Sequence, residues 1–184
     1  ANVGDPAEAQ AAADSRAQGV GLFRTEFAFL DRTQAPDVDE QTAAYGRVLA
    51  AFAGRKVVVR TLDAGADKPL PFLHAAAEAN PALGVRGVRV AQERPDVLED
   101  QLTAIARAAA AHPATTTWVM APMVATVDET EQFVAACARH GLTTAGIMVE
   151  VPSAALLAGQ LLAHAHFASI GTNYLTQYAM AADR

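Results

Sequence analysis

The stretch Gly146–Ala155, GIMVEVPSAA, decides how this chain is read. A short apolar run ends in a carboxylate, Glu150, and Pro152 then stops the strand and opens a helix. The same design recurs on both sides of it. GVGLF leads to Arg24, VVV leads to Arg60, and FASIGT leads to Asn173. Arginines, an amide and a carboxylate delivered from the tips of successive strands suit a site for a small, highly charged anion and a metal.

Between the apolar runs lie helical stretches. Strands are predicted at Ala1–Val3, Val20–Phe23, Val57–Val59, Gly87–Val90, Trp118–Met120, Gly146–Val149 and Phe167–Ile170. Helices are predicted from Asp5-Pro6 through the alanine-rich run to Gln18, then over Asp39–Phe52, Pro95–Ala111, Val127–Arg139 and Ser153–Ala163. Asp5 supplies an N-cap, and Gly19 and Gly141 supply stops. Strict alternation of strand and helix implies parallel pairing with right-handed crossovers. Continuously apolar strands suit a sheet covered by helices. An open doubly wound sheet and a (β/α)8 barrel both satisfy this pattern. Polar groups at the C-terminal ends of many different strands favour the barrel, whose active rim lies there.

Such a barrel usually takes about 250 residues, and this chain has 184. The expectation is a single α/β domain over residues 1–184, an incomplete TIM barrel with about seven strands, truncated at both ends. An apolar content of 52% is ample for a core. A net charge of −6 argues against a general nucleic-acid surface. Any anion must then be held by a local cationic cluster. The single cysteine, Cys137, excludes an internal disulfide and fits a reducing, cytoplasmic setting. No apolar run approaches the roughly 18 residues of a membrane span.

At this point the motifs resemble a known family. GVGLFRTEFAFL (Gly19–Leu30), VVVRTLDAGADKPL (Val57–Leu70), NPALGVRGVRV (Asn80–Val90), MAPMVATVDE (Met120–Glu129), GIMVEVPSAALLA (Gly146–Ala158) and SIGTNYLTQYAMAADR (Ser169–Arg184) are similar to the PEP-binding domain of Enzyme I. Enzyme I is the phosphoenolpyruvate-protein phosphotransferase of the bacterial sugar phosphotransferase system. Pyruvate phosphate dikinase and phosphoenolpyruvate synthase share several of these motifs. The segment Arg60–Lys68 is similar to the Enzyme I version.

The resemblance implies that Arg24, Arg60 and Arg184 hold the phosphoryl group of phosphoenolpyruvate, with Arg86 close to the same rim and Asn173 donating an amide hydrogen bond. It implies Mg2+ as cofactor, with Glu150 as a ligand. Arginine forks suit phosphate and carboxylate, and Mg2+ prefers oxygen ligands. It implies transfer of the phosphoryl group to a histidine and on to the histidine phosphocarrier protein, with pyruvate as product, and a homodimer in the whole protein. The sequence departs from the family pattern at GTND, where Tyr174 occupies the position of the second metal ligand. The histidine acceptor and the cysteine acid are expected to lie outside this chain, so the chain alone is expected to be inactive. The alternatives are a non-catalytic or degenerate barrel module for dimerisation or ligand sensing, or a fragment of a pyruvate phosphate dikinase or phosphoenolpyruvate synthase relative.

Structural readings compete at each position. Arg24 could pair with Glu26, Arg60 with Asp63, and Arg86 or Arg89 could be a solvated charge. Glu150 follows buried residues and needs a partner, whether an ion pair or a metal. Cys137 is expected to be a small buried residue, the histidines to lie in loops or at helix ends, and Trp118 to pack inside the barrel.

Overall fold

The computed structural model describes residues 1–30, 32–65, 70–73 and 79–183. Its frame is one parallel sheet of six strands in sequence order. The chain opens with β1 (Asn2–Val3), a 3-10 turn over Pro6–Glu8, and α1 (Ala9–Asp14). It continues through β2 (Gly19–Arg24), α2 (Val38–Ala51), β3 (Lys56–Arg60), α3 (Val90–Glu93), α4 (Pro95–Ala111) and β4 (Thr116–Ala121). Then come α5 (Val127–Arg139), β5 (Ala145–Val149), α6 (Pro152–Leu156), α7 (Ala158–Leu161), β6 (Ala168–Ile170) and α8 (Thr172–Met180). The sheet curls into part of a barrel, in keeping with an incomplete TIM-type architecture. Strands β1 and β6 are its open edges.

Side chains alternate across this sheet, as the two-residue period of a strand requires. Val57, Val59, Val119, Ala121, Ile147 and Val149 face the helices and join Leu49, Leu102, Ile105 and Phe133 in the main core. Val58, Met120 and Met148 point to the opposite, concave face, with Leu22, Trp118 and Phe167 packed against them. The same alternation sends Arg24, Arg60 and Glu150 toward the concave side at the strand tips. Trp118 packs against Phe167 with ring centroids 4.8 Å apart and planes tilted by 36°, and Lys56 Nζ lies 3.8 Å from the Trp118 ring centroid.

The helices α4 and α5 match their predicted spans. Helix α5 begins with a capping box in which Thr126 accepts from the Glu129 N–H and Glu129 accepts from the Thr126 N–H. Asp37 and Glu40 build the same device at α2. Three expectations need correction. The run predicted as a helix to Gln18 stops at Asp14, and Arg16 adopts a left-handed φ of 62°. The helix expected over Ser153–Ala163 breaks at Leu157, whose ψ of 10° leaves the helical region.

The third correction concerns strand number. Gly87–Val90 was expected as a strand, giving about seven, but Gly87–Arg89 forms a 3-10 turn leading into α3. The pairing shows why. β3 and β4 are direct neighbours, in register from Lys56↔Thr116 to Arg60↔Met120, so no strand can enter between them. The segment instead closes over their C-terminal ends, where the Gly87 N–H donates to Ala64 O and the Val88 N–H to Pro122 O. Gly87 has a φ of 55°, and a Cβ there would lie 2.7 Å from the Met123 side chain. Only glycine suits both conditions.

Candidate active-site rim

The C-terminal ends of the strands open onto a cavity of about 680 Å³. Arg24 reaches it from the end of β2, Arg60 from β3, Glu150 from just beyond β5, and Asn173 from the first turn of α8. Tyr174 also borders it. A smaller, largely apolar recess of about 340 Å³ lies alongside and shares Arg24, Arg60 and Asp63 with it. Its further walls include Phe27, Leu62 and Leu70.

A buried polar network sets the tips of β2 and β3. The Thr25 hydroxyl donates to Arg60 O at 2.9 Å and accepts from the Gln101 amide at 3.0 Å. The Gln101 carbonyl oxygen accepts the Leu62 N–H at 2.8 Å, and its amide also reaches the Tyr45 hydroxyl at 3.0 Å. Tyr45 donates in turn to Gln41. Burial raises the Tyr45 hydroxyl well above its ordinary value, so it stays a donor. Helices α2 and α4 therefore fix the strand ends that carry the two arginines.

Arg60 is buried and clasped. Its Nη2 donates to Glu26 and lies 3.3 Å from Asp63 Oδ2, while Nη1 faces Met148 Sδ at 3.8 Å. Its Nε is buried without a hydrogen-bond partner among the described residues. Burial alone would lower the guanidinium, but Glu26, Asp63 and Glu150 outweigh it and hold it above its ordinary value. Glu26 thus serves Arg60, not Arg24, which corrects one of the pairings weighed from the sequence. No ion pair joins Arg24 to a carboxylate among the described residues, and Arg24 remains exposed beside the cavity.

Glu150 is 2% exposed. Its Oε1 accepts the Met123 N–H at 2.8 Å. Its Oε2 lies against Gly171, where a Cβ would come within 2.8 Å of it. Burial raises the Glu150 carboxyl above the usual range; the Met123 N–H opposes this, Asp63 adds to it, and Arg60 and Arg86 oppose it. A carboxylate so placed gains from any cation that arrives beside it.

Arg86 does not line the main cavity. It is 1% exposed, its Nη2 lies 3.6 Å from Asp63 Oδ1, and it borders a separate groove with Arg89 and Tyr178. Its Nη2 donates to the Tyr174 hydroxyl at 3.0 Å, and its Cζ lies 4.5 Å from the Tyr174 ring centroid. Tyr174 stacks on Tyr178, whose hydroxyl donates to Ala82 O. Helix α8 is thereby strapped to the segment before Arg86. Arg184 lies outside the described residues. Sequence reasoning placed Glu26 and Asp63 only as pairing partners and missed the Gln101 network, the Met123 N–H and Gly171. The glycine in SIGT was a signal for close approach; a backbone N–H from a residue with a φ of 57°, as at Met123, leaves no trace in sequence.

The charge set can hold an anion, and Glu150 can hold a hard cation as a single protein ligand. Among the described residues no group of three His, Cys, Asp or Glu side chains could enclose a metal. The Tyr174 phenol, turned to Arg86, adds no anionic donor.

The chain is similar in sequence to known proteins along its whole length. The chain is 54% identical over 186 residues to the phosphoenolpyruvate-protein phosphotransferase of Streptomyces coelicolor, covering all of this chain and 33% of that protein. It is 48% identical over 196 residues to the protein of the same name from Haloferax volcanii, of which it spans 35%. It is 44% identical over 190 residues to the multiphosphoryl transfer protein of Rhodobacter capsulatus, of which it spans 23%. The chain therefore covers a third or less of two of these relatives and little more of the other. A model of the PEP-utilising enzymes, PEP-binding domain, matches residues 1–184. The chain belongs to the family of PEP-utilising enzymes and forms its PEP-binding domain.

Proposed function

We propose that this rim binds phosphoenolpyruvate for phosphoryl transfer in an Enzyme I-type phosphotransferase. The observation that carries the reading is the meeting of Arg24, Arg60, Glu150 and Asn173 at one cavity on the C-terminal side of a parallel sheet. Arg24 and Arg60 hold the phosphoryl oxygens. The Asn173 amide and the first turn of α8 add donors from the far side. Arg86 acts from behind, through Asp63 and Tyr174, and Arg184 completes the arginine set. Glu150 is the residue that would hold Mg2+, a hard ion suited to its carboxylate oxygens. When bound, the metal neutralises charge on the phosphoryl oxygens.

The phosphoryl group passes to a histidine on another domain, and from there to the histidine phosphocarrier protein that serves sugar uptake. The phosphorus–oxygen bond to enolpyruvate breaks as the phosphorus–nitrogen bond forms. Charge grows on oxygens beside Arg24 and Arg60, and stabilising it is the contribution of these residues. Enolpyruvate leaves with that charge and is protonated to pyruvate by a group outside this chain. In the whole protein the domain works as a homodimer in the cytoplasm. No helix among the described residues is long and apolar enough to cross a membrane.

A second reading has its own observation. Tyr174 is 7% exposed and engaged with Arg86, so position 174 brings no carboxylate to the side of Glu150. A module that binds the anion without catalysing transfer fits that feature. Calorimetric titration with phosphoenolpyruvate, with and without Mg2+, separates the two. Arg24→Ala should weaken binding at least tenfold, as loss of a charged fork implies; unchanged affinity would refute the anion site. Tyr174→Asp should strengthen the Mg2+-dependent part of binding, and Glu150→Ala should erase the gain. Equal metal dependence before and after Tyr174→Asp would show that position 174 does not limit the metal.

A further inference from the structure

We propose that Gly4 is a positioning residue for Arg24, its missing side chain giving the guanidinium its berth at the rim. The inference rests on the reading of Arg24 as an anion-binding group. Parallel pairing of β1 with β2 sets Asn2 beside Leu22 and Val3 beside Phe23, and the next step in register brings Gly4 beside Arg24. A Cβ on Gly4 would lie 2.4 Å from Arg24 Nη2 and 3.2 Å from Cζ. Real side chains do not approach so closely, so one partner must give way.

Gly4 is the fixed partner. Its N–H donates to Glu8 Oε2 at 3.1 Å, and the preceding Val3 is fully buried. The following Asp5 caps the next turn by accepting the Ala7 N–H at 2.8 Å. Arg24 is the movable one. Its side chain is long and exposed, and no carboxylate among the described residues holds it in place. Gly4 also lines the 340 Å³ recess that shares Arg24 with the main cavity. A methyl group at position 4 therefore displaces the guanidinium within the site and leaves the backbone in place. Gly4 shows no left-handed φ, so alanine is tolerated by the chain itself. The effect belongs to binding and not to folding.

The test is a double-mutant cycle read by calorimetric titration with phosphoenolpyruvate, with thermal unfolding measured on each variant. Gly4→Ala should weaken binding about tenfold while the unfolding midpoint stays within a degree or two of the parent. In an Arg24→Ala background, Gly4→Ala should cost nothing more. Arg24→Lys ends near the present Cζ and should recover part of the loss in the Gly4→Ala background. If Arg24→Ala weakens binding and Gly4→Ala does not, the positioning role is refuted and the anion site stands. If Arg24→Ala leaves binding unchanged, the anion site itself is refuted. An equal Gly4→Ala penalty with and without Arg24, or a Gly4→Ala protein that fails to fold, assigns Gly4 a purely structural role and overturns the proposal.

Discussion

Single residues in this rim are governed by who holds them. Arg60 is bound by two carboxylates and is a fixed part of the floor, whereas Arg24 has space and mobility. Glu26→Ala removes one of the two carboxylates on buried Arg60 and leaves Asp63, so it should destabilise the fold by about 2 kcal/mol in urea denaturation, less than the ~3–5 kcal/mol of a wholly uncompensated buried charge. A loss under 1 kcal/mol would place Arg60 in a wetter setting than its burial indicates. Cys137 shows the opposite case, a titratable group with no role at the rim. It is fully buried on α5, and burial pushes its thiol up to about 12. An acid whose folded value is raised contributes stability that is complete below its unfolded value near 8.5 and is lost as pH climbs toward the folded one. Cys137→Ser should therefore flatten the alkaline decline in stability. In the parent at pH 8, thiol-directed reagents should label only after denaturation; rapid native labelling would contradict the burial.

At the scale of elements, helix starts are what hold the loops beside the rim. Glu129 at the start of α5 accepts the N–H groups of Ala125 and Thr126 at 2.6 and 3.1 Å and binds Arg89 Nε at 2.8 Å. It couples the turn after β4, which carries Met123, to the segment that carries Arg86. Thr126→Ala removes one cap and should cost about 1 kcal/mol. Glu129→Ala strands two backbone donors and an arginine, so its cost should be two to three times larger. Equal losses for the two substitutions would show that the carboxylate does nothing beyond capping.

For the whole molecule, position in the sheet orders stability. Strands β3, β4 and β5 are paired on both sides, whereas β1 and β6 each have one neighbour. Val57, Val119 and Ile147 are fully buried, while Ile170 on β6 is 69% exposed. Native-state amide exchange should be slowest in β3–β5 and α4 and fastest in β1 and β6. Protection in β6 equal to that in β4 would mean that its free edge is covered in solution. The arginines thus stand on a graded frame: Arg60 on the central strand β3, and Arg24 on β2, beside the edge strand β1.

Local sequence determined most of the elements. Apolar runs of strand length, bounded by helix caps and glycine stops, specify β2 to β5 and helices α2, α4 and α5, because those signals act between near neighbours. Strand-end placement likewise forecast that Arg24, Arg60, Glu150 and Asn173 would meet, since parallel strands in sequence order must present their tips together. Tertiary structure decided what depends on distant partners. Gly87–Val90 has the apolar content of a strand, yet direct pairing of β3 with β4 leaves it no place in the sheet. Glu26 lies two residues from Arg24 but serves Arg60, because the turn after β2 aims it at the tip of β3. Arg86 carries the charge of a substrate ligand, but Tyr174 from α8 and Asp63 enclose it behind the rim. Each outcome turns on contacts between residues tens of positions apart, where spacing along the chain no longer measures distance in space.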